Sequence, residues 1–172
     1  MNPRTKYVVD SSIFIEAKNH YYAFDIAPGF WDSIAVHAKR GSIECIDRIR
    51  AEIEDGNDDL AAWIRDGHII DRAFPASDSE DVLKAYQEII VWVQSNPQFT
   101  PAAKAEFANA PDGWLIAYAK AKGYTVVTQE KFRPDAKRRV FIPNVCRHFN
   151  IECVDVFEML RALGVKFTTN GK

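Results

Sequence analysis

Short β-branched runs alternate with longer segments of helical period along the chain, and this alternation limits the possible folds more than any other feature. The runs Lys6–Val9 (KYVV), Ile43–Ile46 (IECI), Tyr124–Thr128 (YTVVT), Val140–Ile142 (VFI) and Ile151–Val154 (IECV) read as strands. Between them lie FWDSIAVHAKRG, with Phe30, Ile34 and Ala38 on one face, and DRIRAEIEDG, with Ile46, Ile49 and Ile53 spaced by three and four. Further helices are expected over DDLAAWIRDG, over Ser77–Gln94 behind an acidic start, over AAKAEFANA, over DGWLIAYAKAKG behind Pro111, over Asn144–Phe149 and over VFEMLRALG. Strands that alternate with helices, with no internal repeat or domain-sized linker, predict an α/β fold. The expected form is a three-layer α/β/α sandwich around a mostly parallel sheet, with residues 1–172 as a single domain.

The chain has 172 residues, 47% of them hydrophobic and 12% aromatic, enough for a packed core, which excludes disordered and low-complexity classes. Cys45, Cys146 and Cys153 are an odd set, which argues against a disulfide framework and for a reducing compartment. The start MNPRTKYVVD reaches an acid before any long apolar run, so no signal peptide is expected. Ile89–Val93 is far shorter than the roughly 20 apolar residues of a membrane span. The expectation is a cytoplasmic protein without a membrane partner. A net charge of -2 means that any polyanion would have to meet a local basic patch.

In an open parallel sheet, ligands bind beyond the carboxyl ends of the strands. Asp10 follows the first strand there, and Glu130 follows YTVVT. Asp112 opens the helix that feeds YTVVT, and Glu52 lies on the helix after the second strand. Each acid alone has an ordinary reading: a helix cap for Asp112, a solvated helix residue for Glu52, a loop acid for Glu130. Together they fall where the topology would gather them. Clustered carboxylates raise one another's pKa unless a cation lies between them, and oxygen ligands suit Mg²⁺ or Mn²⁺.

These blocks, YVVDSSIFI, CIDRIRAEIEDG, PDGWLIAYAKAKGYTVVTQEKF and IPNVCRHFNIECVDVFEML, resemble the PIN-domain nucleases, and within them the PIN-like group known as DUF4411. The resemblance covers most of the chain and implies a PIN-like fold and a metal-dependent endoribonuclease. Carried over, it assigns the catalytic acids to Asp10, Glu52, Asp112 and Glu130, with Asp10, Asp112 and Glu130 on the metal. Glu44 is an alternative to Glu52, and TQE stands where the family more often has Thr-x-Asp. Ser12 and Thr128 match supporting hydroxyls. The small bacterial members are commonly toxins, so the resemblance also implies an antitoxin partner, an RNA substrate and a possible homodimer.

Lys131, Arg133, Lys137, Arg138 and Arg139 follow Glu130 directly and form the candidate substrate-binding patch. Tyr21, Tyr22, Phe24, Phe30 and Trp31 are either core residues or stacking surfaces for bases. Cys146, His148 and Cys153 lack a fourth ligand and the usual zinc spacing. Two other readings remain open. One is a degenerate PIN-like module that only binds RNA or protein. The other is a haloacid-dehalogenase-type phosphatase using Asp10, although such enzymes usually carry a second Asp where Ser12 stands here.

Overall fold

A computed structural model describes residues 5–168. Its sheet is formed by β1 (Tyr7–Val9), β2 (Ile43–Glu44), β3 (Thr125–Val127) and β4 (Cys153–Val154). The order is β2-β1-β3-β4 and every pairing is parallel, with Val8 opposite both Glu44 and Val126. Helices flank the sheet: α1 (Ser11–Glu16), α2 (Pro28–Lys39), α3 (Asp47–Asp55), α4 (Asp59–Arg65), α5 (Glu80–Ser95), α6 (Pro101–Asn109), α7 (Asp112–Lys122), α8 (Ile142–His148) and α9 (Val156–Ala162). The expected α/β/α architecture with a parallel sheet is the one observed.

The two central strands, β1 and β3, are buried on both faces, as parallel strands usually are, while the edge strands β2 and β4 are partly exposed. Val8, Val9, Val126 and Val127 have no exposed surface. Local chemistry sets the helix ends where the sequence supplies it. The Asp58 side chain accepts from the amides of Leu60 and Ala61, Thr100 caps α6, and Asp155 forms a capping box with Glu158 at α9. Gly123 ends α7 with a φ of 70°, a left-handed conformation that favours glycine.

One expected strand is absent. Val140–Ile142 is not part of the sheet, and Ile142 instead opens α8. Its amide is taken by the Glu130 carboxylate at 2.7 Å, and Pro143 has no amide to offer a ladder. Tyr22, Phe24, Phe30 and Trp31 pack on one another, with Tyr22–Phe30 at 4.6 Å and Phe24–Trp31 at 4.0 Å, which assigns them to the core rather than to base stacking. Among the described residues, no helix is long and apolar enough to cross a membrane.

The chain runs from β1 outward to β2, then back past β1 to β3 and on to β4. Its direction therefore reverses between β1 and β3, and a crevice opens beyond the carboxyl ends of these two strands. Asp10 and Thr128 are the first residues past those ends, and the Asp10 amide donates to the Val127 carbonyl at 2.9 Å.

Candidate active site

Asp10 is buried, and two hydroxyls hold its Oδ2: Ser12 at 2.5 Å and Thr128 at 3.0 Å. Burial pushes its pKa up, and the two hydroxyls work in the opposite direction. Thr128 Oγ1 also accepts the Glu130 amide at 3.2 Å, and Ser12 Oγ accepts the Gln129 amide at 3.2 Å. The hydroxyls thus tie the carboxyl end of β1 to the turn that leaves β3. This fixes both the rotamer of Asp10 and the start of the Glu130 loop.

Asp112 lies across the crevice at the first turn of α7. It is not a cap, because among the described residues no group donates a hydrogen bond to its carboxylate. Its pKa rises from 3.8 to about 7, first through burial and then through the charges of Asp10, Glu130 and Glu52, with Arg139 opposing. These charges act on one another only because the fold has brought all four acids together.

Glu52 reaches the cluster from α3. Its pKa is raised by burial and by Asp10, while the Ser11 hydroxyl offsets part of the rise. Water still reaches much of the Glu52 side chain. Cys45, buried at the end of β2, also feels both Asp10 and Glu52. The alternative acid, Glu44, is held elsewhere: Tyr118 donates to it at 2.7 Å and Tyr124 at 3.2 Å.

Glu130 is already engaged at both oxygens, by Arg139 at 2.5 Å and by the Ile142 amide at 2.7 Å. Burial raises its pKa and these two partners lower it. The carboxylate therefore anchors both the N-terminus of α8 and the far end of the basic loop. Among the described residues, no three His, Cys, Asp or Glu side chains already close on one point. The donor set, anionic oxygens with one carboxylate lacking any donor, is nonetheless what a hard divalent cation takes. Magnesium needs only one or two carboxylates when water and phosphate oxygens complete its shell. Asp10 and Asp112 fit that role, whereas Glu130 would first have to release Arg139.

The basic segment folds into a loop around a cavity of about 750 Å³ lined by residues 131–139 and Phe141. Asn144, buried on α8, clamps it by accepting the Arg133 amide and donating to the Arg133 carbonyl. Gln98 donates to the carbonyls of Pro134 and Ala136, and Lys137 accepts the Thr100 amide. Arg133 and Arg139 both lie over Phe141, at 5.5 and 5.3 Å. Lys131 reaches Asp155 at 3.4 Å, while Lys137 and Arg138 are exposed. Sequence reasoning missed Asn144 and Asp155; Tyr21, which it left open between core and base stacking, is exposed. Asp155, Tyr21 and Phe157 share a groove with Ser12, Glu130 and Arg139. Asp155 carried a signal that could have found it, since it follows β4 as Asp10 follows β1. His148 stacks on Trp92 at 4.3 Å and is exposed, so it is not a zinc ligand with the two cysteines.

The family described as Domain of unknown function (DUF4411) matches residues 7–167. The chain belongs to that family. No curated protein matches this DUF4411 chain. Its fold is similar to a chain in the crystal structure of VapBC2 from Rickettsia felis bound to a DNA fragment from their promoter, with a TM-score of 0.55. That likeness covers 88% of this chain and 98% of the other at 15% identity, and so speaks for the fold alone.

Proposed function

We propose that this DUF4411 protein is a divalent-metal-dependent endoribonuclease, acting as one domain and serving as the toxin of a toxin–antitoxin pair. The observation that carries the reading is Asp112, a largely buried carboxylate with no donor at the sheet's switch point, raised to about 7 by burial and, after it, by three other acids. A protein keeps such a group when an external cation neutralises it.

Asp10 and Asp112 would hold Mg²⁺ or Mn²⁺, with Glu130 joining once Arg139 leaves it. The bound ion would supply Lewis acidity at a phosphate oxygen and lower the pKa of water. Glu52, the most water-accessible of the four acids, is suited to accept a proton from the attacking water at its carboxylate. Ser12 and Thr128 keep Asp10 in one rotamer by both donating to its Oδ2. The basic loop would attract the RNA backbone, Lys137 and Arg138 having the exposed cations.

The toxin assignment draws on the resemblance to small PIN proteins. It is in keeping with a fold neighbour that was crystallised as VapBC2. An antitoxin would cover the crevice. One observation favours a second reading, a binding module without catalysis: both oxygens of Glu130 are occupied within the protein.

The test is cleavage of a panel of structured and unstructured RNAs by wild type and by Asp10→Asn, in Mg²⁺, Mn²⁺ or EDTA. The expected result is cleavage that needs the metal and disappears in Asp10→Asn. RNA bound but uncut under every condition would replace the nuclease by the binding module.

A further inference from the structure

A second groove leaves the acidic cluster on the side away from the basic loop. It is lined by Arg48, Glu52, Asp55, Asn109, Pro111 and Trp114, among others, and has a volume of about 760 Å³. The sheet order explains the two sides: α3 follows β2 at one edge, while the loop after β3 lies toward β4 at the other. Arg48 is the one cation among the described residues that line this groove.

Arg48 is held in place to an unusual degree for an exposed arginine. Its guanidinium lies 4.0 Å from the Trp114 ring, and Trp114 in turn stacks on Tyr86 at 3.7 Å with 9° between planes. Arg48 Nε donates to Ser77 Oγ at 3.0 Å, and the fully buried Ser77 donates to Asp47 Oδ1 at 2.6 Å. Asp47 Oδ1 also accepts the Arg48 amide at 2.9 Å. Backbone, Nε and guanidinium plane are therefore all fixed.

Yet no carboxylate pairs with Arg48 among the described residues, whereas Arg50 on the same helix pairs with Glu54 and Asp71, and Arg139 pairs with Glu130. Orienting a guanidinium by stacking and leaving its two terminal amines without an acid is the arrangement that suits a forked contact to a phosphate. Trp114 already has two planar partners, so its part is to orient Arg48 rather than to stack a base.

We propose that Arg48 binds a backbone phosphate of single-stranded RNA a short distance along the strand from the carboxylates, with Trp114, Ser77 and Asp47 as its positioning residues. Arg48 and Glu52 are one helical turn apart on α3, so the bound strand runs from the basic loop, over Asp10 and Asp112, and into this groove. The basic loop and Arg48 then grip the strand on either side of the cut. This inference rests on the RNA-cleaving reading for its substrate class, but not on catalysis itself.

The test measures binding alone. In the Asp10→Asn background, fluorescence polarisation of a labelled single-stranded oligoribonucleotide is followed over a range of salt concentrations. Arg48→Gln is expected to weaken binding about 10-fold and to reduce the salt slope by about 0.7, the share of one phosphate on a single strand. Arg48→Lys keeps the charge but not the fork, and should recover the salt slope and only part of the affinity. Ser77→Ala should lose affinity with the slope unchanged. Arg48 dependence in a protein that cuts no RNA would sustain the inference while removing the nuclease reading. Unchanged affinity and slope in Arg48→Gln would overturn it, even if wild type cleaves RNA. Absence of any binding by the parent protein would overturn it too.

Discussion

Replacing Asp112 by Asn removes a charge that burial and three neighbouring acids disfavour, and the expected effect follows from these surroundings. An ordinary aspartate has a pKa of 3.8, and Asp112 is raised to about 7. At pH values between these two, the unfolded chain has lost the proton and the native chain keeps it. The native state is thus favoured fully below about 4, loses that advantage as pH climbs to about 7, and changes no further above. Each pKa unit is worth about 1.4 kcal/mol, so the shift of roughly three units amounts to about 4 kcal/mol at neutral pH and about 2 kcal/mol at pH 5. Asp112→Asn does not titrate. In EDTA its stability relative to wild type, from urea unfolding, should therefore climb by about that amount between pH 4 and 7 and then level off. At pH 7.5, Mn²⁺ should raise the melting temperature of wild type and leave Asp112→Asn nearly unmoved. Parallel pH profiles for the two proteins in EDTA would refute the reasoning, since Asp112 would then feel neither burial nor its acidic neighbours.

Two further outcomes are expected from the hydrogen bonds around the crevice. Thr128→Val deletes the hydroxyl that serves both Asp10 and the Glu130 amide, and should lower stability by about 1–3 kcal/mol in urea unfolding while abolishing RNA cleavage; full activity would show that Asp10 needs no second hydroxyl. Asn144→Ala removes both bonds that clamp Arg133, so limited trypsin digestion should cut within residues 131–139 much faster than in wild type, with the melting temperature little changed.

The local features of this protein were legible in its sequence because they depend on neighbours a few residues apart. Strand positions, the acidic start of α4 and the glycine that ends α7 all follow from side chains acting on nearby backbone. So did the position of Asp10 past β1, since an apolar run that ends in an acid marks a strand end whatever lies around it. The false strand at Val140–Ile142 shows the limit of that reasoning. Three apolar residues suit a strand, but the distant carboxylate of Glu130 takes the Ile142 amide and Pro143 has none to offer, so Ile142 opens a helix instead.

What the tertiary structure decided is which of these residues meet. Glu44 and Glu52 are both acids near the second strand, and nothing local separates them. The pairing of β2 with β1 and the approach of α7 give Glu44 to Tyr118 and Tyr124, and leave Glu52 facing Asp10. The engagement of Glu130 by Arg139, the lack of any donor to Asp112 and the stacking of Arg48 on Trp114 are likewise invisible in the chain order. Side-chain periodicity fixes the face of each element. The order in which parallel strands assemble fixes what that face meets, and that order is set by long-range packing of the whole core.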